Sequence, residues 1–310
     1  MRHQRGVVLI SALILVALAS VVAATLFFDT AMSARRTAAS FSMEQAVQLG
    51  AGAEALAAYA LVQDKNQNDT MQDAWGQHYG PVEVETEVGL EAQITDEQGK
   101  FNLNTLLKAD GRPDANAMTV FRRLLELCEL EPRWASLIAD WIDPNVQPES
   151  DGGEDSLYLS QQPAYRAANM PITSVSELRQ LPGFDQKMYL RLLPHVTALP
   201  PSARTINVCT ADGLVLDALN ALSKANPNNL EYSRLKPEEL DRNRQNGCFP
   251  QKSVLGANEP DIAARIDERS SYFRLQTWIR IGTAQFALYS LMYRDGAGHA
   301  RPILHTMGTE

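Results

Sequence analysis

Histidine and cysteine are both scarce, five and three in 310 residues. Cys128, Cys209 and Cys248 are too few for a disulfide scaffold and lack the C-x-x-C spacing of a zinc site or redox dithiol, so at most one bridge and one spare thiol are expected. His3, His78, His195, His299 and His305 are scattered, and there is no G-x-S-x-G, H-E-x-x-H or G-x-x-x-x-G-K. No catalytic residue is assigned and the chain is not expected to be an enzyme. Basic side chains are also in deficit. With 28 Lys plus Arg against 37 Asp plus Glu, the net charge of −9 repels phosphate backbones, so nucleic acid is not an expected partner. What remains is 45% hydrophobic and 21% charged, a globular composition long enough for about two domains.

Charge is missing altogether from residues 7–28, which follow a short head carrying Arg2, His3 and Arg5. At about 1.5 Å rise per residue this apolar segment makes roughly 33 Å of helix, the thickness of a bilayer core. The basic head places the N-terminus in the cytoplasm and the acidic body beyond the membrane, in the periplasm of a bacterium. A cleaved secretory signal has a shorter apolar stretch and a small-residue cleavage site, whereas this one runs into Asp29 and a helical pattern. A plain signal anchor fits the hydropathy equally well but leaves the junction Gln4-Arg5-Gly6-Val7 without an explanation.

That junction, a basic head ending in Gly6 followed by Val7-Val8-Leu9-Ile10, resembles the class III leader of type IV pilins and type II secretion pseudopilins. The resemblance implies cleavage after Gly6 by the prepilin peptidase and N-methylation of Val7. The fifth mature residue, glutamate in most members, is here Ser11. A hydroxyl cannot neutralise the N-terminal ammonium of a neighbour within the bilayer, so no subunit is expected ahead of this one. The missing glutamate resembles the K-type minor pseudopilins (general secretion pathway protein K), placed at the tip of the filament.

Beyond the span, Met43, Val47, Leu56, Ala57, Ala60 and Leu61 recur at helical spacing, and Gly50 and Gly52 lie inside this helix as packing residues. Residues 82–95 alternate apolar and polar, with Gly89 as a turn or bulge. Residues 273–281, 284–293 and 301–307 do the same, and the two blocks are expected to form one antiparallel sheet. The expected fold is α+β and type IV pilin-like, with a large inserted all-α domain. Its divisions are a leader over 1–6, a transmembrane helix over 7–28, helix and first strands over 29–105, the helical insertion over 106–204, and the remainder of the pilin-like domain over 205–310. Within the insertion, Leu181-Pro182-Gly183-Phe184 resembles the hairpin of a helix-hairpin-helix unit, read as a packing module because Asp185 follows it. Lys100–Thr105, the stretch from Asp140 to Asn169, and Thr205–Val208 carry the rest of the K-type resemblance.

From Asp140 to Asp155 six carboxylates crowd together: Asp140, Asp143, Glu149, Asp151, Glu154 and Asp155. They repel one another unless a cation bridges them, and oxygen donors alone favour calcium. Asp143, Asn145, Gln147, Asp151 and Glu154 match EF-hand positions, but Pro148 stands where the sharp turn needs glycine, so this is not an EF-hand. The candidate ligands are Asp140, Asp143, Asp151, Glu154 and Asp155; a solvated acidic loop is the plain alternative, and the K-type resemblance favours Ca²⁺. A Cys209–Cys248 bridge is expected to close a polar loop. The resemblance implies a subunit that initiates or caps the pseudopilus for export of folded exoproteins. Its partners would be the I, J and H minor pseudopilins, the prepilin peptidase, the inner membrane, and the exoproteins or the outer-membrane secretin. A membrane-tethered calcium-dependent hydrolase or binding module, and a minor type IV pilin for adhesion or DNA uptake, are the competing readings.

Overall fold

A computed structural model describes residues 4–308, with the side chains of residues 4–7 outside the description. Its first element, α1 (Gln4–Gln63), is one uninterrupted helix. From Val8 to Phe28 every side chain is exposed, as in a segment built for lipid. This is the one helix among the described residues long and apolar enough to cross a membrane. Beyond it, Ala46, Gly50, Ala53, Glu54, Ala57 and Leu61 are buried at helical spacing. The larger residues of the expected stripe, Met43, Val47 and Leu56, are instead exposed. Small residues form the seam because the helix lies close on the sheet: a Cβ at Gly50 would come within 2.6 Å of Leu288. Gly52, by contrast, faces open space.

After α1 come a hairpin of β1 (His78–Glu85) and β2 (Val88–Asp96), then the short β3 (Phe101–Asn102). The helices α2 (Ala115–Leu127), α3 (Trp134–Ile142), α4 (Asp155–Leu159) and α5 (Gln186–Leu192) follow. Next are β4 (Val196–Thr197), β5 (Ile206–Asn207), α6 (Gly213–Leu219), α7 (Pro237–Asn243), α8 (Lys252–Leu255), α9 (Pro260–Ala263) and β6 (Ile266–Asp267). A closing meander of β7 (Tyr272–Ile281), β8 (Ala284–Arg294) and β9 (Ala300–Met307) completes the chain. The main sheet is antiparallel throughout, in the order β1-β2-β7-β8-β9. The turn of the first hairpin falls at Glu87, at φ 66°, and Gly89 lies within β2 opposite an irregularity between Glu83 and Glu85.

Everything between β2 and β7 is thus inserted into the sheet, and it has one hydrophobic core. Phe121, Leu124 and Trp134 share that core with Val208, Val215, Leu216, Leu219, Ile262 and Ile266. The apolar interior of the helical insertion expected over 106–204 is shared by later elements up to β6, since α6 packs against α2. A second, smaller core joins Ala57 and Leu61 of α1 to Trp75, Ile94, Phe273, Leu275 and Met292.

The insertion leaves the sheet at a defined end. Going outward from the membrane segment, Gly50 faces Leu288, Glu54 accepts from the Ser290 hydroxyl at 2.6 Å, and the Leu61 carbonyl accepts from Arg294 at 3.3 Å. Asp96 pairs with Phe273, and Tyr272 with Tyr293, next to Arg294. Both points of attachment thus lie at the membrane-distal end of the sheet.

Candidate functional site

The acidic stretch begins in the last turn of α3, whose apolar residues pack into the helical core and carry Asp140 inward with them. Asp140 and Asp143 are fully buried and Glu154, just before α4, is 6% exposed. One carboxylate oxygen from each lies within 4.8 Å of the others. Asp140 accepts from the backbone N–H of Glu149 and, at 2.7 Å, of Gly153. Gly152 is required there, since a Cβ would overlap the Asp140 carboxylate. Asp143 Oδ1 accepts from Asn145 N at 3.0 Å, whereas Asp143 Oδ2 and both Glu154 oxygens are buried without a donor.

Burial first, and the neighbouring carboxylates second, push Glu154 up to about 7 and Asp143 upward. Asp140 rises to about 6, chiefly by burial, against the backbone N–H groups that favour its ionised form. Three buried acids with three donorless oxygens form an oxygen-only cradle that fits a hard cation. Two of the expected ligands lie outside it. Asp155 forms an ion pair with Arg166 at 3.0 Å and accepts from Ala167 N, and Asp151 is exposed at φ 65°.

The other singled-out residues are elsewhere. Gly6 and Val7 enter only as helical backbone, and the leader residues 1–3 lie outside the described residues. Ser11 is on the exposed surface of the apolar part of α1. Cys209 and Cys248 form a disulfide with a Cα–Cα distance of 4.4 Å, and Cys128 is a buried thiol pushed up to about 12 by burial, which keeps it unreactive. At the hairpin after Leu181, Gly183 takes φ 85°, and Asp185 accepts from Met188 N at the start of α5.

The match to known proteins follows this architecture. Residues 99–201 match the family model for type II secretion system protein K. Type II secretion system protein K of Pseudomonas aeruginosa is 32% identical, covering 99% of this chain and 94% of the relative. The chain belongs to the type II secretion system protein K family. A relative of the same description from Klebsiella pneumoniae is 37% identical over 68% of this chain and 68% of the relative. Among solved structures, a chain of the GspK-GspI-GspJ complex from enterotoxigenic Escherichia coli superposes with a TM-score of 0.75. It is 24% identical, covers 89% of this chain and all of its own, and has the same fold, pilin-like with an inserted helical domain.

In this protein K family member the remaining sequence signatures prove to be structural staples. Asn102 donates to the carbonyls of Pro200 and Ala203, and Asn104 to those of Ile172 and Leu199. Asn207 donates to the Asp69 carbonyl, the Asp96 carboxylate and the Ser270 hydroxyl, locking the helical domain to the sheet. Sequence reading missed the partners of Asn207. Asp96 is pushed up to about 6 by burial, and Arg294, held by Asp69 at 2.5 Å, lies over the Phe273 ring at 4.9 Å. The signal for one of them in the sequence is the acidic residue that ends β2, Asp96.

Proposed function

We propose that this chain is an inner-membrane-anchored minor pseudopilin at the tip of a type II secretion pseudopilus, where it initiates or caps assembly for export of folded proteins. The observation that carries the reading is the helical domain at the membrane-distal end of the sheet. A subunit stacked above would meet that domain, while subunits below remain free to join. Ser11 supports the same order, since it offers no carboxylate to the N-terminal ammonium of a subunit ahead.

On this reading the chain is a structural subunit without a catalytic step, cleaved after Gly6 and N-methylated on Val7. Its body is periplasmic and its partners are the I and J minor pseudopilins, with the H type, the exoproteins and the secretin as further neighbours. The complex named for its structural relative supports the first two. The outward face of α1 supports helix-to-helix packing, since Phe41, Leu56 and Tyr59 are exposed along it. Ca²⁺ held by Asp140, Asp143 and Glu154 would neutralise the buried acids and fix the loop between α3 and α4.

An epitope placed on the helical domain should label only filament ends in immunogold images; label along the shaft would refute the tip assignment. The mature N-terminal peptide should begin at N-methylated Val7 only in cells containing the prepilin peptidase. A chain still starting at Met1 there would refute the pseudopilin class.

A further inference from the structure

A second group of acids lies far from the α3–α4 loop, where α1 ends. One carboxylate oxygen from each of Asp64, Asp69 and Asp73 lies within 4.8 Å of the others. Two of these residues have their oxygens engaged. Asp64 accepts from Asn66 N and Trp75 Nε1, both at 3.0 Å, and Asp73 from Asn66 Nδ2 and Thr70 N, both at 2.7 Å.

Asp69 differs. Its side chain is fully buried beside the Asp64 carboxyl, and Oδ2 takes Ser270 N at 2.7 Å and the Arg294 guanidinium at 2.5 Å, yet among the described residues no N–H or hydroxyl donates to the buried Oδ1. An orphaned carboxylate oxygen in the interior is costly unless something positive meets it. The local balance is negative. Arg294 is the guanidinium in reach, 2.5 Å from Asp69 and 3.6 Å from Asp64, whereas the Lys65 ammonium is directed to the Val62 carbonyl. The C-terminal end of α1 adds partial negative charge of its own.

We propose that Asp64, Asp69 and Asp73 hold a hard divalent cation of the calcium class at the end of α1, with Asp69 Oδ1 as a direct ligand. Oxygen donors without histidine or thiolate select such an ion. Asp69 also donates its N–H to the Glu268 carbonyl at 2.8 Å, and its own carbonyl accepts from Asn207 at 3.0 Å. The ion therefore braces the exit of the membrane helix against the junction between sheet and helical domain. This site shares no residue with the cradle of Asp140, Asp143 and Glu154.

The test uses the detergent-solubilised full chain and Tb³⁺ as the probe, because Trp75, bonded to Asp64, is placed to sensitise its luminescence. In the Glu154→Gln background a saturable signal, displaced by Ca²⁺, should persist and should be lost on adding either Asp69→Asn or Asp73→Asn. Among the described residues the Asp73 carboxylate takes hydrogen bonds from Asn66 Nδ2 and Thr70 N alone, so Asp73→Asn decides the matter even if Asp69→Asn fails to fold. Loss of all Tb³⁺ binding in Glu154→Gln alone would overturn this site and leave the α3–α4 site standing. A Glu154→Gln titration unchanged by Asp73→Asn would also overturn it, as would a proton shared by Asp64 and Asp69, seen as no ion binding there at any concentration. If Glu154→Gln left the wild-type number of bound ions intact, only the α3–α4 site would fall.

Discussion

Glu154→Gln should change the stability of this protein in opposite directions with and without calcium. In chelator, the wild-type carboxylate is buried beside Asp143 and Asp140 with no donor on either oxygen, and its ionisation is resisted up to about pH 7. Against an ordinary value of 4.5, at about 1.36 kcal/mol per unit, the ionised group at pH 8 costs on the order of 3 kcal/mol. Glutamine removes that charge and leaves a buried amide that costs roughly 1–2 kcal/mol. The net gain of about 1–2 kcal/mol corresponds to a Tm higher by about 2–6 °C for a body of this size. In calcium at a hundredfold excess over Kd the wild type gains about 2.7 kcal/mol, which the variant forgoes while keeping its own gain, so the variant then lies below the wild type by about 1–2 kcal/mol, or about 2–6 °C. Differential scanning calorimetry of both proteins in both buffers reads all four values. A Tm lowered equally with and without calcium would show that Glu154 is a packing residue and would refute the cation argument.

Three further outcomes follow from the same structure. Asp140 and Glu154 have folded values of about 6 and about 7, above their unfolded ones, so the stability tied to their protonated forms is full below about pH 4 and lost as pH rises through 7. The chelated protein should therefore melt higher at pH 5 than at pH 8, and calcium should reverse the order; a chelated Tm that rises with pH over this range would contradict the assignment. Replacing Cys209 and Cys248 by serine opens a loop closed at a separation of 39 residues and should lower stability by about 4 kcal/mol, checked by denaturant unfolding of the oxidised wild type beside the double variant. Arg294→Met leaves the buried Asp69 and Asp64 uncompensated and should cost about 3–5 kcal/mol, measured the same way.

β7 and β8 were legible because they bury alternate residues, so Leu275 and Ile279 face α1 while Arg274 and Arg280 do not, and polarity alone reveals the period. The seam of α1 was not, because a pattern search favours large side chains such as Met43 and Leu56, while the close approach to the sheet selects Ala46, Gly50 and Ala53. That short elements after residue 204 cover the same apolar core was hidden, because it depends on distant packing partners. The acidic loop was legible as a cluster of carboxylates, but which of them converge was not. Asp155 is withdrawn by Arg166, eleven residues further on, and Asp140 is drawn in by the packing of α3. Asn207 finds its partners 63 to 138 residues away, a distance no local pattern spans.

Strand neighbours β2 and β7 are separated in sequence by the whole helical domain, which sets an order on folding. Closing so long a loop before anything holds it is entropically unfavourable, and contacts between distant segments form slowly. The domain between them has its own core and brings Asp96 and Tyr272 to one side once formed, so it works as a preassembled clasp for the sheet. Until it closes, the β1–β2 hairpin and the β7–β9 meander each present an unpaired strand edge. Damage to the helical interior, even far from the sheet, should therefore appear first as aggregation of the chain, before any loss of helical content.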